Sequence, residues 1–104
     1  MRIIIGTWFS ILADAVSHLV KAQNKYPSDP DISDVKDALQ AAYDDLEALE
    51  GSKPSAAQLQ AVADQLDDVA SDIGDLLATY PGDEDLEAAL ADVEQVRDEI
   101  EAEI

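Results

Sequence analysis

The 104-residue sequence predicts an all-α protein. Its expected architecture is a helical hairpin written twice, forming either an up-down four-helix bundle or two hairpins laid end to end. Three observations carry this expectation. Two phrases, KYPSDPDISDVKDAL from Lys25 and TYPGDEDLEAALADV from Thr79, rhyme at an offset of 54 residues. The same offset pairs core-type residues along the whole chain: Ile5 with Leu59, Trp8 with Val62, Leu12 with Leu66, Leu19 with Ile73 and Ala22 with Leu76 in the leading helices, then Ile32 with Leu86, Leu39 with Val93 and Leu46 with Ile100 in the returning ones. Within each segment those positions recur three and four apart, the a/d spacing of helices wound in a left-handed coiled-coil seam.

Helix ends follow from capping, because the first amides of a helix need acceptors and its end needs a breaker. The first helix is expected near residues 7 to 25, closed by Tyr26-Pro27. Asp29 before Pro30 is an N-cap followed by proline in the first turn, opening a helix over 30 to 50. Gly51-Ser52-Lys53-Pro54 separates the hairpins, and Ser55 with Gln58 forms a capping box for a helix over 55 to 79. Tyr80-Pro81 closes it, and Asp83 caps the last helix over 84 to 102. The chain thus reads as a single domain of two hairpins, 1–50 and 55–104. Arg2 to Ile5 is β-branched enough to suit a strand as well as a helical turn, and Gly6 within a helix costs about 1 kcal/mol, so the first helix is placed from Thr7.

Charge divides the chain unevenly. The formal net charge is −18. Met1 to Pro27 holds three bases and one acid, whereas Ser28 to Ile104 holds three bases and twenty-three acids. Self-repulsion on that scale opposes compaction, and molar salt, with a Debye length of roughly 3 Å, removes most of it. The excess of Asp, the scarcity of Lys and the abundance of Ala resemble the composition of a halophile's protein, and the expected setting is cytoplasmic or virion-associated in a high-salt organism. Direct nucleic-acid binding is disfavoured because the sequence lacks a Lys/Arg patch. Cysteine is absent, which excludes disulfides and thiolate metal sites. The opening apolar run, broken by Gly6, Thr7 and Ser10, does not read as a signal peptide, and it is shorter than the ~20 apolar residues of a spanning helix.

The repeat serves as an internal control on the first helix. Phe9 answers Ala63, Ile11 answers Gln65, Ala13 answers Asp67, Val16 answers Ala70 and Val20 answers Gly74. A second apolar stripe, Phe9, Ala13, Val16 and Val20, therefore lies off the a/d seam, and a helix apolar on more than one face is a buried one. The expected partner interface is Ile4, Trp8, Phe9, Ile11, Val16 and Val20, with Phe9 the most telling because its counterpart is only alanine. The competing expectation for Trp8 is core packing in the Val62 layer.

Chemistry has little support. His18 is the only histidine, without the Glu-x-x-His pairs of a bundle metal site, so no metal or cofactor and no catalytic group is expected. The acids at Asp29, Asp31, Asp34 and at Asp83, Glu84, Asp85 lack EF-hand spacing and read as caps. Tyr26 and Tyr80, at one repeat position, are expected to pack across a bundle end. Together these readings point to a non-enzymatic structural or interaction protein, docking through its N-terminal helix into a homo-oligomer or a larger assembly such as a virus particle. Two alternatives come from other classes: an acidic regulatory or nucleic-acid-mimicking module, and a membrane-peripheral anchor using the same helix.

Overall fold

The computed structural model describes residues 5–51 and 53–104, leaving aside the side chain of Ile5. Four helices follow one another: α1 (Ile5–Lys25), α2 (Pro30–Ala48), α3 (Ala56–Thr79) and α4 (Glu84–Ala102). Each packs against its neighbours in sequence, and α1 also packs against α4. That last contact closes the ring and decides between the two expected arrangements. The molecule is an up-down bundle measuring 42 × 19 × 18 Å, one helix long and two helices wide.

Burial follows the repeat. Trp8, Leu12, Ala15, Leu19 and Ala22 of α1 are buried, and so are Val62, Leu66, Val69, Ile73 and Leu76, which stand 54 residues later in α3. Ile32, Val35, Leu39, Ala42 and Leu46 of α2 repeat in the same way as Leu86, Ala89, Val93, Val96 and Ile100 of α4. Each large side chain removed from water contributes roughly 1.5 to 3 kcal/mol, so the seam is the main source of cohesion.

Helix boundaries depart from expectation by one or two residues, each for a local reason. α1 begins at Ile5, two residues before Thr7. Gly6 thus lies in the first turn, where amides have no intrahelical acceptor and the glycine penalty of a helix interior applies least. α2 ends at Ala48 because the amides of Leu49 and Glu50 bond three residues back, to Leu46 and Glu47, tightening the last turn before Gly51 at φ +82°. α3 starts one residue after its cap: Ser55 Oγ accepts from the Gln58 amide at 3.1 Å while Gln58 Oε1 accepts from the Ser55 amide at 2.8 Å.

The two hairpin turns match in plan. The Asp29 amide donates to the Tyr26 carbonyl, and the Asp83 amide to the Tyr80 carbonyl, each across a turn with proline second. Gly82, at φ +79°, takes the third place in the latter turn, the position a type II turn reserves for glycine, while Ser28 holds the same place in the former without positive φ.

Gly74 gives a clean test of the helical framework. It sits exposed in the middle of α3, and a Cβ added there meets nothing within 4 Å. Gly74→Ala should raise the unfolding free energy by about 0.5 to 1 kcal/mol, read as a higher denaturant midpoint at unchanged slope.

Candidate functional site

The residues expected at an interface do not all face outward. Trp8 is 2% exposed, and its Nε1 donates to Glu99 of α4 at 3.2 Å, so it belongs to the core. Phe9, Ile11 and Val16 are half-buried and pack against that core. Phe9 meets Tyr43 of α2 with ring centroids 5.2 Å apart, which places it in the α1–α2 seam. Val20 is exposed at 38%. Ile4 lies outside the described residues.

The repeat explains the placing of Phe9 and Val16. Their counterparts, Ala63 and Ala70, are buried in α3. Phe9 and Val16, half of the second stripe, therefore lie on a flank that a bundle helix turns toward its neighbour, while Ala13 and Val20, the other half, are exposed. Where α3 uses alanines and packs closely on α4, α1 uses larger side chains with Tyr43 opposite; Arg97 stands at the position in α4 that answers Tyr43.

What α1 turns to solvent is a line that takes in Ala13 and Val20 of that stripe: Gly6, Ser10, Ala13, Ser17, Val20 and Asn24, all exposed, uncharged and spaced alternately four and three apart. Each of the other three helices sets several acids on its exposed positions; among the exposed residues of α1, Asp14 is the single acid. Apart from Ile104 beyond α4, Val20 is the exposed large hydrophobic residue among those described.

The hairpin-turn end holds the most organised polar cluster. Tyr26 and Tyr80 stack with centroids 3.8 Å apart and ring planes 16° from parallel. Each hydroxyl donates to the N-cap aspartate of the other repeat, Tyr26 to Asp83 at 2.7 Å and Tyr80 to Asp29 at 2.5 Å. Each aspartate also caps its own helix, Asp83 accepting from the Leu86 amide and Asp29 from the Asp31 amide. The hydrogen bond from Tyr80 to Asp29 lifts the Tyr80 hydroxyl to about 12, and the bond to Asp83 likewise raises Tyr26.

The symmetry breaks at the cations. Lys25 Nζ lies 2.7 Å from Asp83 and 3.0 Å from Asp85, and His18 Nδ1 lies 2.8 Å from Asp85. The hydrogen bond to Asp83 raises the Lys25 ammonium, and that from His18 leads in lowering Asp85. Burial pushes Asp83 up, but Lys25, the Leu86 amide and Tyr26 together outweigh it and hold the carboxyl at about 2. On the opposite flank the repeat puts Asp72, Asp75 and Thr79 where α1 has His18, Lys21 and Lys25. There Asp31, Asp34, Asp72, Asp75 and Thr79 line an open acidic groove of about 340 Å³ between α2 and α3. Among the described residues no group of three or more His, Cys, Asp or Glu side chains is arranged to hold a metal ion, and no helix is long and apolar enough to cross a membrane.

No protein-family model, curated protein or solved structure matches the chain. The reading of function therefore rests on the surface itself.

The cap pair yields a comparison within one molecule. Asp29→Ala should cost about 1 kcal/mol, the usual value of an N-cap, and Asp83→Ala about twice that, because Asp83 is buried and its loss also takes the acceptor of the Tyr26 hydroxyl and one of the two carboxylates on Lys25. Asp83 carries a pH signature as well. Its folded value lies below the ordinary 3.8, so its stabilisation is present above 3.8 and lost as pH falls towards 2. Urea midpoints of Asp83→Asn measured over that acid range should fall less steeply than those of the wild type.

Proposed function

We propose that this protein is a non-enzymatic interaction module that docks onto other protein through the outer face of α1, in a homo-oligomer or a larger assembly, with its acidic helices left in solvent. The observation that carries the reading is the charge-free line Gly6, Ser10, Ala13, Ser17, Val20 and Asn24 on the surface of a chain with net charge −18. An acidic surface repels partners of its own kind, so the face where acids are missing is where close approach costs least. Small side chains also let a partner's backbone come near, which favours a helix laid along α1. The expected anchors change accordingly. Trp8 serves the core, while Ala13 and Val20 stand at the contact.

The alternatives have weaker support. For a nucleic-acid mimic, the acids would be expected to follow one track, yet they spread over α2, α3 and α4. For membrane docking, basic side chains should flank the face, and Lys25 is engaged by Asp83 and Asp85, which leaves Lys21 on α1. The acidic surface also supports a high-salt setting, where its self-repulsion is screened.

Light scattering in molar KCl, on the wild type beside an Ala13→Glu, Val20→Glu double variant, tests the docking reading. Both positions are exposed, so the variant should keep its helical circular dichroism and lie within about 0.5 kcal/mol of the wild type per site. A wild-type oligomer that the variant converts to folded monomers supports self-assembly through α1. Oligomers untouched by the double variant would sink the reading, and vesicle binding lost in the variant would replace it with membrane docking. The high-salt reading has its own check. The thermal midpoint should climb steadily between about 0.1 and 3 M KCl as the Debye length shrinks from about 10 Å to below 3 Å, and a flat response would remove it.

A further inference from the structure

One carboxyl on the α1–α4 seam has no part in the contacts described above. Asp92 is half-buried on α4, and its Oδ2 is enclosed with no hydrogen-bond donor. The neighbour from α1 that acts on it most is another carboxyl, Asp14. Two carboxylates are acceptors only and repel; one proton between them makes one side a donor and satisfies the pair. His18, one turn beyond Asp14, completes the cluster, with Nε2 3.4 Å from Asp14 and Nδ1 2.8 Å from Asp85. These are the charged groups that α1 brings to Asp92. On the other side of α4, α3 presents Asp67 to Arg97 at 2.9 Å. Asp85, on α4 itself, is engaged by His18 and Lys25.

The repeat shows that the fold does not require this carboxyl. Asp92 answers Ala38, an exposed alanine of α2, and the α2–α3 seam closes with no carboxyl there. A half-buried acid with an enclosed, donor-free oxygen is a cost at neutral pH that an alanine or asparagine would avoid.

We propose that Asp92 and Asp14, beside His18, form a proton-operated latch on the α1–α4 seam, tightened by one proton shared between the two carboxyls in mild acid and loosened when that proton leaves near neutrality. Burial, followed by the hydrogen bond and charge of Asp14, raises Asp92 to about 6, against a smaller opposite pull from His18. The sign is the reverse of that at Asp83. A carboxyl whose folded value exceeds the ordinary 3.8 contributes stability that is complete below 3.8 and lost as pH rises through about 6. With Asp83 failing only towards 2, the bundle should be most stable between those limits. The latch stands independently of the docking reading, since it uses the flank of α1 that faces α4 and not the uncharged outer line.

The test is thermal unfolding of the full chain in molar KCl, followed by circular dichroism from mild acid to above neutrality. The wild type would be compared with Asp92→Asn and His18→Gln, and the carboxyl carbon of Asp92 titrated by NMR in the folded wild type. The wild-type midpoint should rise by roughly 5 °C between about pH 7.5 and pH 5. Asp92→Asn should be more stable than the wild type at neutral pH and lose that dependence, whereas His18→Gln should keep it. An Asp92 carbon titrating within about one unit of the ordinary carboxyl value would overturn the proposal even if every variant failed to fold. Equally fatal would be a pH dependence retained by Asp92→Asn, or one abolished by His18→Gln alone.

Discussion

Cohesion in this molecule has to come from its apolar seam, because the charge works against it. A chain with net charge −18 and six basic residues cannot be held together by ion pairs. Arg97 illustrates the point: Asp67, Glu94, Asp98 and Glu101 all lie within 4 Å of its guanidinium, and most of those carboxylates are well exposed. Such surface pairs contribute little each. The buried layers from Trp8 to Ala22 and from Val62 to Leu76, with their partners on α2 and α4, are therefore what the acids are mounted on. This explains why acids are kept off the seam and why Asp83, the one buried acid among the described residues, is so fully bonded.

The repeat gives the bundle a near-twofold plan, visible in the stacked tyrosines and in their crossed bonds to Asp29 and Asp83. A hydroxyl from one hairpin held by the helix cap of the other locks the turns together at one end, where four helix termini meet. Departures from the plan are concentrated on α1. Lys25, His18, Phe9 and Val16 stand where α3 has Thr79, Asp72, Ala63 and Ala70. Through Lys25 and His18 the α1–α4 flank carries cations against acids, while the α2–α3 flank is an open groove whose charged residues are acids.

Much of this was legible in the sequence because a duplicated chain states its pattern twice. The core pairs at the 54-residue offset, the caps at Asp29, Ser55 and Asp83 and the closing Tyr-Pro pairs all act through neighbours one turn away, so local spacing reveals them. Phe9 and Val16 were harder. Set against Ala63 and Ala70 they mark α1 as apolar on a second flank, but spacing does not say what lies beside a helix. In a closed ring each helix meets two neighbours, so the inner half of such a stripe, Phe9 and Val16, is covered from within the chain, and Ala13 and Val20 are left outside. The crossed bonds from Tyr26 to Asp83 and from Tyr80 to Asp29 span 57 and 51 residues. The only sequence trace of them is that tyrosine and the cap aspartate recur together.

The same logic bears on what the outer line of α1 can do. If α1 were an ordinary member of the ring, its exposed positions would be expected to carry acids as freely as those of α3, its repeat counterpart. Instead Ala13, Ser17 and Val20 stand where α3 has Asp67, Ser71 and Gly74, and Ser10 where it has Asp64. Two aspartates have given way to alanine and serine, and a glycine to valine. None of these exchanges touches the core, since all lie at exposed positions. Solubility does not call for them either, because it would be served by more acid. A set of exchanges on the outer line in the direction of lower charge, with valine in place of glycine, is what a helix that is covered in use would acquire, and the flank proposed to tighten with a proton is its neighbour on the same helix.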